Sequence, residues 1–144
     1  MHQKEKYRNC IIIKPPQRID TYFTQIEYLY VSNGWGTKYP AELLRRMFHN
    51  TYYLVAISSE GVGGILRAFT DGVCVTHLTE ILVHPNQQRM GVGQLMMKSF
   101  LEDVSHTTIY AESLYKEAGS FLSKQGFTQK PQLTVYARRK DFSR

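Results

Sequence analysis

The sequence predicts an α/β (α+β) fold, a mostly antiparallel central sheet flanked by helices, in a single domain covering residues 1–144. Three observations carry this. Apolar residues recur at three- and four-residue spacing up to Asn50, and from Thr51 the period becomes that of a strand. Asp71-Gly72 separates two apolar runs, as a hairpin turn does, because a tight turn takes positive φ values that glycine accepts readily. Finally, Ile81 to Gly93, reading ILVHPNQQRMGVG, joins an apolar β-run to an amphipathic helix through a polar turn punctuated by glycine.

The elements follow in order. Cys10 to Lys14 is a short strand, cut off by Pro15-Pro16, which cannot continue a ladder. Asp20 is the expected N-cap of a helix whose Ile19, Phe23, Ile26, Leu29 and Tyr30 share one face, and Ser32-Asn33-Gly34 ends it. After a loop from Asn33 to Tyr39, Pro40 suits the first turn of a second helix carrying Leu43, Leu44, Met47 and Phe48, with Asn50 at its end. Tyr52 to Ile57, Val62 to Phe69 and Val73 to Val83 then form an antiparallel meander, turning at Ser58 to Gly61 and at Asp71-Gly72. A helix from Gly91 to Val104 crosses to a strand at Thr107 to Ala111. A helix near Tyr115 to Gln125 stops at Gly126, and Leu133 to Arg138 is the expected last strand. The order is β-α-α-β-β-β-α-β-α-β, with no repeat or linker.

The turn at residues 88–93 is the part with chemical content. Gln88, Gly91 and Gly93 give Q-x-x-G-x-G, and Val92, Leu95, Met96, Ser99 and Phe100 then fall on one helical face. The loop therefore ends as a helix N-terminus, where the first N–H groups lack intrahelical acceptors and the macrodipole favours an anion. Glycines at 91 and 93 remove the Cβ atoms that would hold a phosphate away, and Arg89 adds a full positive charge.

These residues resemble the GNAT superfamily of acetyl-CoA-dependent N-acetyltransferases. Ile81, Val83 and Pro85 match its L-x-V-x-P strand, Gln88, Gly91 and Gly93 its [QR]-x-x-G-x-[GA] loop, and Ala118, Phe121, Gly126 and Phe127 its A-x-x-F-Y-x-x-x-G-F segment. The resemblance covers roughly residues 50 to 140 and implies a mixed, mostly antiparallel sheet. It also implies that acetyl-CoA is held by Ile81, Leu82, Val83, Gln88, Arg89, Met90, Gly91, Val92, Gly93 and Gln94, with pantetheine lying beside the strand like an added strand. The Val83 N–H is then the candidate oxyanion donor. LYVSNGW from Leu29 and RAFTDG from Arg67 further resemble one subgroup of small GNAT proteins, with relatives acting on arylalkylamines, polyamines or protein amino groups.

Amine acetylation sets its own demands. A primary amine with a pKa of about 10.4 is neutral in only about one molecule in a few thousand at pH 7, so a base must collect its proton. Glu80 is the first choice and His77 the competitor. Side chains alternate along a strand, so the two face opposite sides unless a bulge intervenes. The family's tyrosine after the motif phenylalanine is replaced by Leu122, so either the thiolate leaves unassisted, helped by the helix field, or Tyr115, where the family often has an asparagine facing the coenzyme, or another group protonates it. Tyr28 to Tyr39, with Trp35, is the expected acceptor wall. A catalytically silent acetyl-CoA-binding domain is the other reading, since it would keep the loop without needing Glu80.

Composition narrows the remaining classes. The formal charge of +6 raises nucleic acid as a ligand, but the basic residues are scattered, with doublets only at Arg45-Arg46 and in Arg138-Arg139-Lys140 and no interleaved aromatic platform, so none is expected. No apolar run approaches the roughly twenty residues of a membrane span, and the N-terminus lacks a secretory core, so a cytoplasmic protein is expected. Cys10 and Cys74 read as reduced core residues, and five histidines without ligand spacing leave no metal site. Oligomeric state is left open by the sequence: the resemblance implies a family in which homodimers are frequent, and the C-terminal strands offer an edge.

Overall fold

A computed structural model describes residues 10–113 and 116–140. The described chain divides into two units, one ending at Glu112 and one starting at Ser113. The first unit holds strands β1 (Ile11–Ile13), β2 (Tyr52–Ser58), β3 (Gly61–Thr70), β4 (Val75–Val83) and β5 (Thr108–Ala111), with helices α1 (Phe23–Ser32), α2 (Ala41–His49) and α3 (Val92–Val104). The second holds α4 (Lys116–Lys124). The five strands form one sheet in the order β1-β2-β3-β4-β5, antiparallel except for the parallel β4–β5 pair. That parallel pair follows from the crossover through α3, which brings β5 back beside β4 in the same direction.

Register divides the side chains between two faces. Tyr53, Val55, Ile65, Arg67, Phe69 and Leu82 lie on one, and Leu54, Ala56, Leu66, Ala68 and Leu78 on the other. The first face packs against α1 and α2 in a cluster with Phe23, Ile26, Leu29, Tyr30, Leu44 and Phe48. The second meets α3 through Val92, Met96, Met97, Phe100 and Val104, all buried. Gly64 lets α3 approach closely: a Cβ there would stand 2.7 Å from Met96 Cε and 2.9 Å from the Leu82 carbonyl oxygen. Gly64→Ala is therefore expected to cost about 1–3 kcal/mol, read as a lower denaturation midpoint at unchanged m.

Two helices stop as the sequence predicts. Gly34 follows α1 at a φ of 81°, with Trp35 N–H donating to Tyr30 and Gly34 N–H to Val31. Gly126 follows α4 at a φ of 90°, with Phe127 N–H donating to Leu122 and Gly126 N–H to Ser123. Both are Schellman closures, which need a left-handed residue just past the helix. The G-F of the third motif is thus a helix stop.

Four expectations are corrected. Asp20 does not cap α1: a 3₁₀ turn, Asp20–Tyr22, precedes the helix without a side-chain cap, and the Asp20 carboxylate accepts from Arg45 at 3.2 Å. The β3–β4 connection is longer than a two-residue hairpin, because Asp71 Oδ1 gathers the N–H groups of Val73, Cys74 and Val75 at 2.8 to 3.1 Å. Cys74 sits in that loop and is exposed, while Cys10 is half-buried, its thiol pushed up by burial. Leu133 to Arg138 makes no strand among the described residues, and Leu133, Val135 and Tyr136 are all exposed. Strand-forming residues need a paired edge and one buried face, and this run has apolar side chains of both parities in solvent.

Candidate functional site

β4 carries the site because it is paired on both sides at its start and on one side at its end. Its pairing with β5 runs from Val75–Thr108 to Leu78–Ala111 and stops there. Beyond it, Glu80 to Val83 pair with β3, and no second strand pairs with them among the described residues. N–H groups along a strand alternate in direction, and His84 N–H donates to Gly63 on the β3 side at 2.8 Å. The N–H groups of Val83 and Ile81 are therefore turned the other way, into the gap that β5 leaves. The Val83 carbonyl, turned the same way, accepts from the side-chain amides of Asn33 at 3.2 Å and Gln88 at 3.3 Å.

The gap leads into the glycine turn. Pro85–Gln87 form a 3₁₀ turn, Arg89 takes a φ of 64°, and Gly91 takes 90° as the N-cap of α3. Two residues of positive φ flank Met90, and left-handed residues set among right-handed ones are what build an anion nest. Gly91 makes no side-chain cap and the first turn holds no acidic residue, so the N–H groups of Val92, Gly93 and Gln94 keep the unmet donors of a helix start. A Cβ on Gly91 would meet nothing within 4 Å, so its φ is what requires glycine. Arg89 and Gln94 are exposed beside it. Leu82 and Val92 are core side chains; the backbone of Val92 opens the helix at the turn, whereas the N–H and C=O of Leu82 point back to β3.

The two candidate bases lie on one face. Arg67 pairs with Glu80 but Ala68 pairs with Leu78, so Thr79 is an extra residue in β4 and the alternation slips by one. Phe69, on the Arg67 face, pairs with His77, and the bulge thereby carries His77 and Glu80 to the same side. Their surroundings differ. The Glu80 side chain is 1% exposed and accepts from Arg67 Nε at 2.6 Å, Arg67 Nη2 at 3.2 Å and the Tyr30 hydroxyl. His77 is 40% exposed, with Nε2 at 2.8 Å from both oxygens of the Glu112 carboxylate.

Tyr30 ties this face to α1. Burial first, then the charge of Glu80, raise its phenol well above the ordinary 10.0, and burial with Asp103 does the same to Tyr52. For Arg67, burial works against the charge, but the hydrogen bond and the charge of Glu80 outweigh it and keep the guanidinium protonated. Both phenols hold their protons more firmly folded than unfolded, so their contribution is complete below the ordinary phenol value and is lost as pH rises past it. The melting temperature is expected to decline above about pH 10, and Tyr30→Phe to flatten that decline; an unaltered slope would contradict the linkage.

The expected acceptor wall is partly core. Tyr30 is buried and stacks on Tyr39 at 4.5 Å, whereas Tyr28 and Trp35 are exposed and Tyr28 lies 5.2 Å from the His84 ring. Tyr115 lies outside the described residues. Arg67, Asn33 and Glu112 received no role from the sequence. A lone arginine within the apolar run Val62 to Phe69 was a signal, since a charge in a two-face-buried strand needs a partner. Asn33 and Glu112 gave none. Among the described residues, no group of three or more His, Cys, Asp or Glu is placed to hold a metal ion.

Residues 23–138 match the family model described as an acetyltransferase (GNAT) domain. The chain belongs to the GNAT acetyltransferase family. A curated relative, the glucosamine 6-phosphate N-acetyltransferase of Schizosaccharomyces pombe, is 30% identical over 69 residues, 41% of this chain and 61% of that protein. An uncharacterised N-acetyltransferase of Porphyra purpurea is 25% identical over 114 residues, 74% of this chain. The chain spans only 61% and 65% of the lengths of these relatives. The fold matches a GNAT-family acetyltransferase of Streptococcus pneumoniae with a TM-score of 0.73 at 20% identity, covering 91% of this chain and 99% of the other. It matches an aminoglycoside acetyltransferase from a soil metagenome, crystallised with sisomicin, equally well: TM-score 0.73 at 17% identity over 93% and 98%. The GNAT sheet of this chain keeps its parallel β4–β5 pair and the helix that follows the glycine turn. No helix among the described residues is long and apolar enough to cross a membrane.

Proposed function

We propose that this protein moves an acetyl group from acetyl-CoA to a primary amine by direct attack on the thioester. The observation that carries the reading is the gap beyond Leu78–Ala111, with the Ile81 and Val83 N–H groups turned into it and leading straight to the turn at Arg89 and Gly91. Pantetheine lies in that gap as an added strand. The N–H groups of Gly91 to Gln94 hold the diphosphate, with Arg89 as the full charge beside it and Gln88 and Met90 shaping the turn. The Ile81 N–H, the donor in the gap nearer to His77, stabilises the oxyanion, and the field of α3 eases departure of the thiolate. Glu80 is committed to Arg67 and Tyr30, so its part is to fix the electrostatics of the acceptor face, and His77 collects the proton.

The test is thiol release from acetyl-CoA in the presence of tryptamine, spermidine, a lysine peptide or glucosamine 6-phosphate. Amine-dependent release with at least one of them supports the transferase. Tight acetyl-CoA binding without release on any would favour the silent coenzyme-binding domain instead. Glu80→Gln keeps a neutral acceptor for Tyr30, and kcat is expected to fall with little change in acetyl-CoA affinity.

A further inference from the structure

We infer that Glu112 fixes His77 in the tautomer whose Nδ1 takes the proton of the attacking amine, a positioning role that rests on the transferase reading above. A carboxylate only accepts hydrogen bonds, so the nitrogen it faces, Nε2, carries the hydrogen and the lone pair stays on Nδ1. The pair also stands where the chemistry belongs. His77 pairs with Tyr110 one rung before the β4–β5 ladder ends, and Glu112 is the first residue after β5, so the two straddle the point where the strands part. The Thr79 bulge keeps His77 on the face of Glu80. Both members are open to an acceptor, at 40% and 50% exposed, whereas Glu80 is enclosed.

On the same side opens a cleft of about 570 Å³, walled in part by His77, Phe69, Thr51 and His49, which is room enough for a small amine. The other titratable groups around the ring are Asp71, His49 and Tyr52 in the cleft and Tyr110 across the ladder. Asp71 is turned to its own loop, where one oxygen gathers three N–H groups, so Glu112 is the carboxylate bonded to the imidazole.

The step balances. The amine nitrogen attacks the thioester carbon and a C–N bond forms, while the nitrogen's proton passes to Nδ1. The Glu112 carboxylate holds the resulting imidazolium in place. The C–S bond breaks, the thiolate leaves with the electron pair, and the proton on Nδ1 returns to it directly or through solvent. A neutral amine and acetyl-CoA become an amide and the coenzyme thiol.

The test compares the parent with Glu112→Gln and Glu112→Asp, using acetyl-CoA with tryptamine and spermidine from about pH 5 to about pH 9. Acetyl-CoA Kd and Tm are measured alongside. Glu112→Gln is expected to lower kcat about 10-fold and to turn the single Nε2–H tautomer of His77, read from the ¹⁵N shifts of its ring, into a mixture, because an amide both donates and accepts. Glu112→Asp should recover part of both, with Kd and Tm unchanged throughout. A parent-like kcat and a parent-like tautomer in Glu112→Gln overturn the inference and leave the transferase reading standing. A parent that binds acetyl-CoA and acetylates neither amine brings down both.

Discussion

Gly91→Asp is expected to weaken acetyl-CoA binding about 100-fold or more. The residue holds a φ of 90° at the N-cap of α3, and a side chain there projects from the turn into open space. In the proposed reading that space is next to the diphosphate. Two like charges about 4 Å apart at an effective dielectric near 20 repel by about 4 kcal/mol, and partial screening leaves roughly 3 kcal/mol, two decades in Kd. The fold should survive, because aspartate and asparagine tolerate the left-handed region better than other residues with a Cβ. Gly91→Asn separates charge from shape: it keeps the bulk and the φ demand, and should lose far less affinity. Calorimetric titration of both variants reads the difference, and equal losses would mean that sterics, not charge, set the effect.

Arg67→Leu is expected to cause the largest loss of stability, about 3–5 kcal/mol. Arg67 is 13% exposed and supplies two of the hydrogen bonds to a Glu80 side chain that is 1% exposed. Removing the guanidinium leaves a buried carboxylate without two of its three hydrogen bonds, keeping that from Tyr30. Against a total stability of roughly 5–15 kcal/mol this is a large fraction, equivalent to a Tm lower by roughly 10 °C. Arg67→Leu with Glu80→Gln tests the cause. The amide carries no charge and still accepts from Tyr30, so the double variant should regain most of the loss. A double variant as unstable as Arg67→Leu would assign the cost to lost arginine packing instead.

The strands and helices of the first unit are legible in the sequence because their periods are clean. Ile26, Leu29 and Tyr30 on α1, and Leu44 and Phe48 on α2, are buried as their spacing demands. The glycine turn was legible for the same reason, since Gly91 needs a φ that a side chain resists. What escaped was set by partners distant along the chain. The slip at Thr79 appears only when β3 and β4 are laid in register, and it is the bulge that decides whether His77 and Glu80 share a face. The Arg67–Glu80 pair and the Glu112–His77 pair join strands whose contact no local pattern announces. Leu133 to Arg138 carried the right residue types for a strand but forms none among the described residues.

The central claim is that an acyl-CoA lies along β4 beyond the point where its pairing with β5 stops, with its diphosphate on the first turn of α3. Backbone amide NMR of the protein during titration with acetyl-CoA tests it most directly. The account predicts that the amides of Ile81, Val83 and Gly91 to Gln94 shift together, to one saturation point. Saturation with those amides unmoved and shifts gathered elsewhere would contradict it.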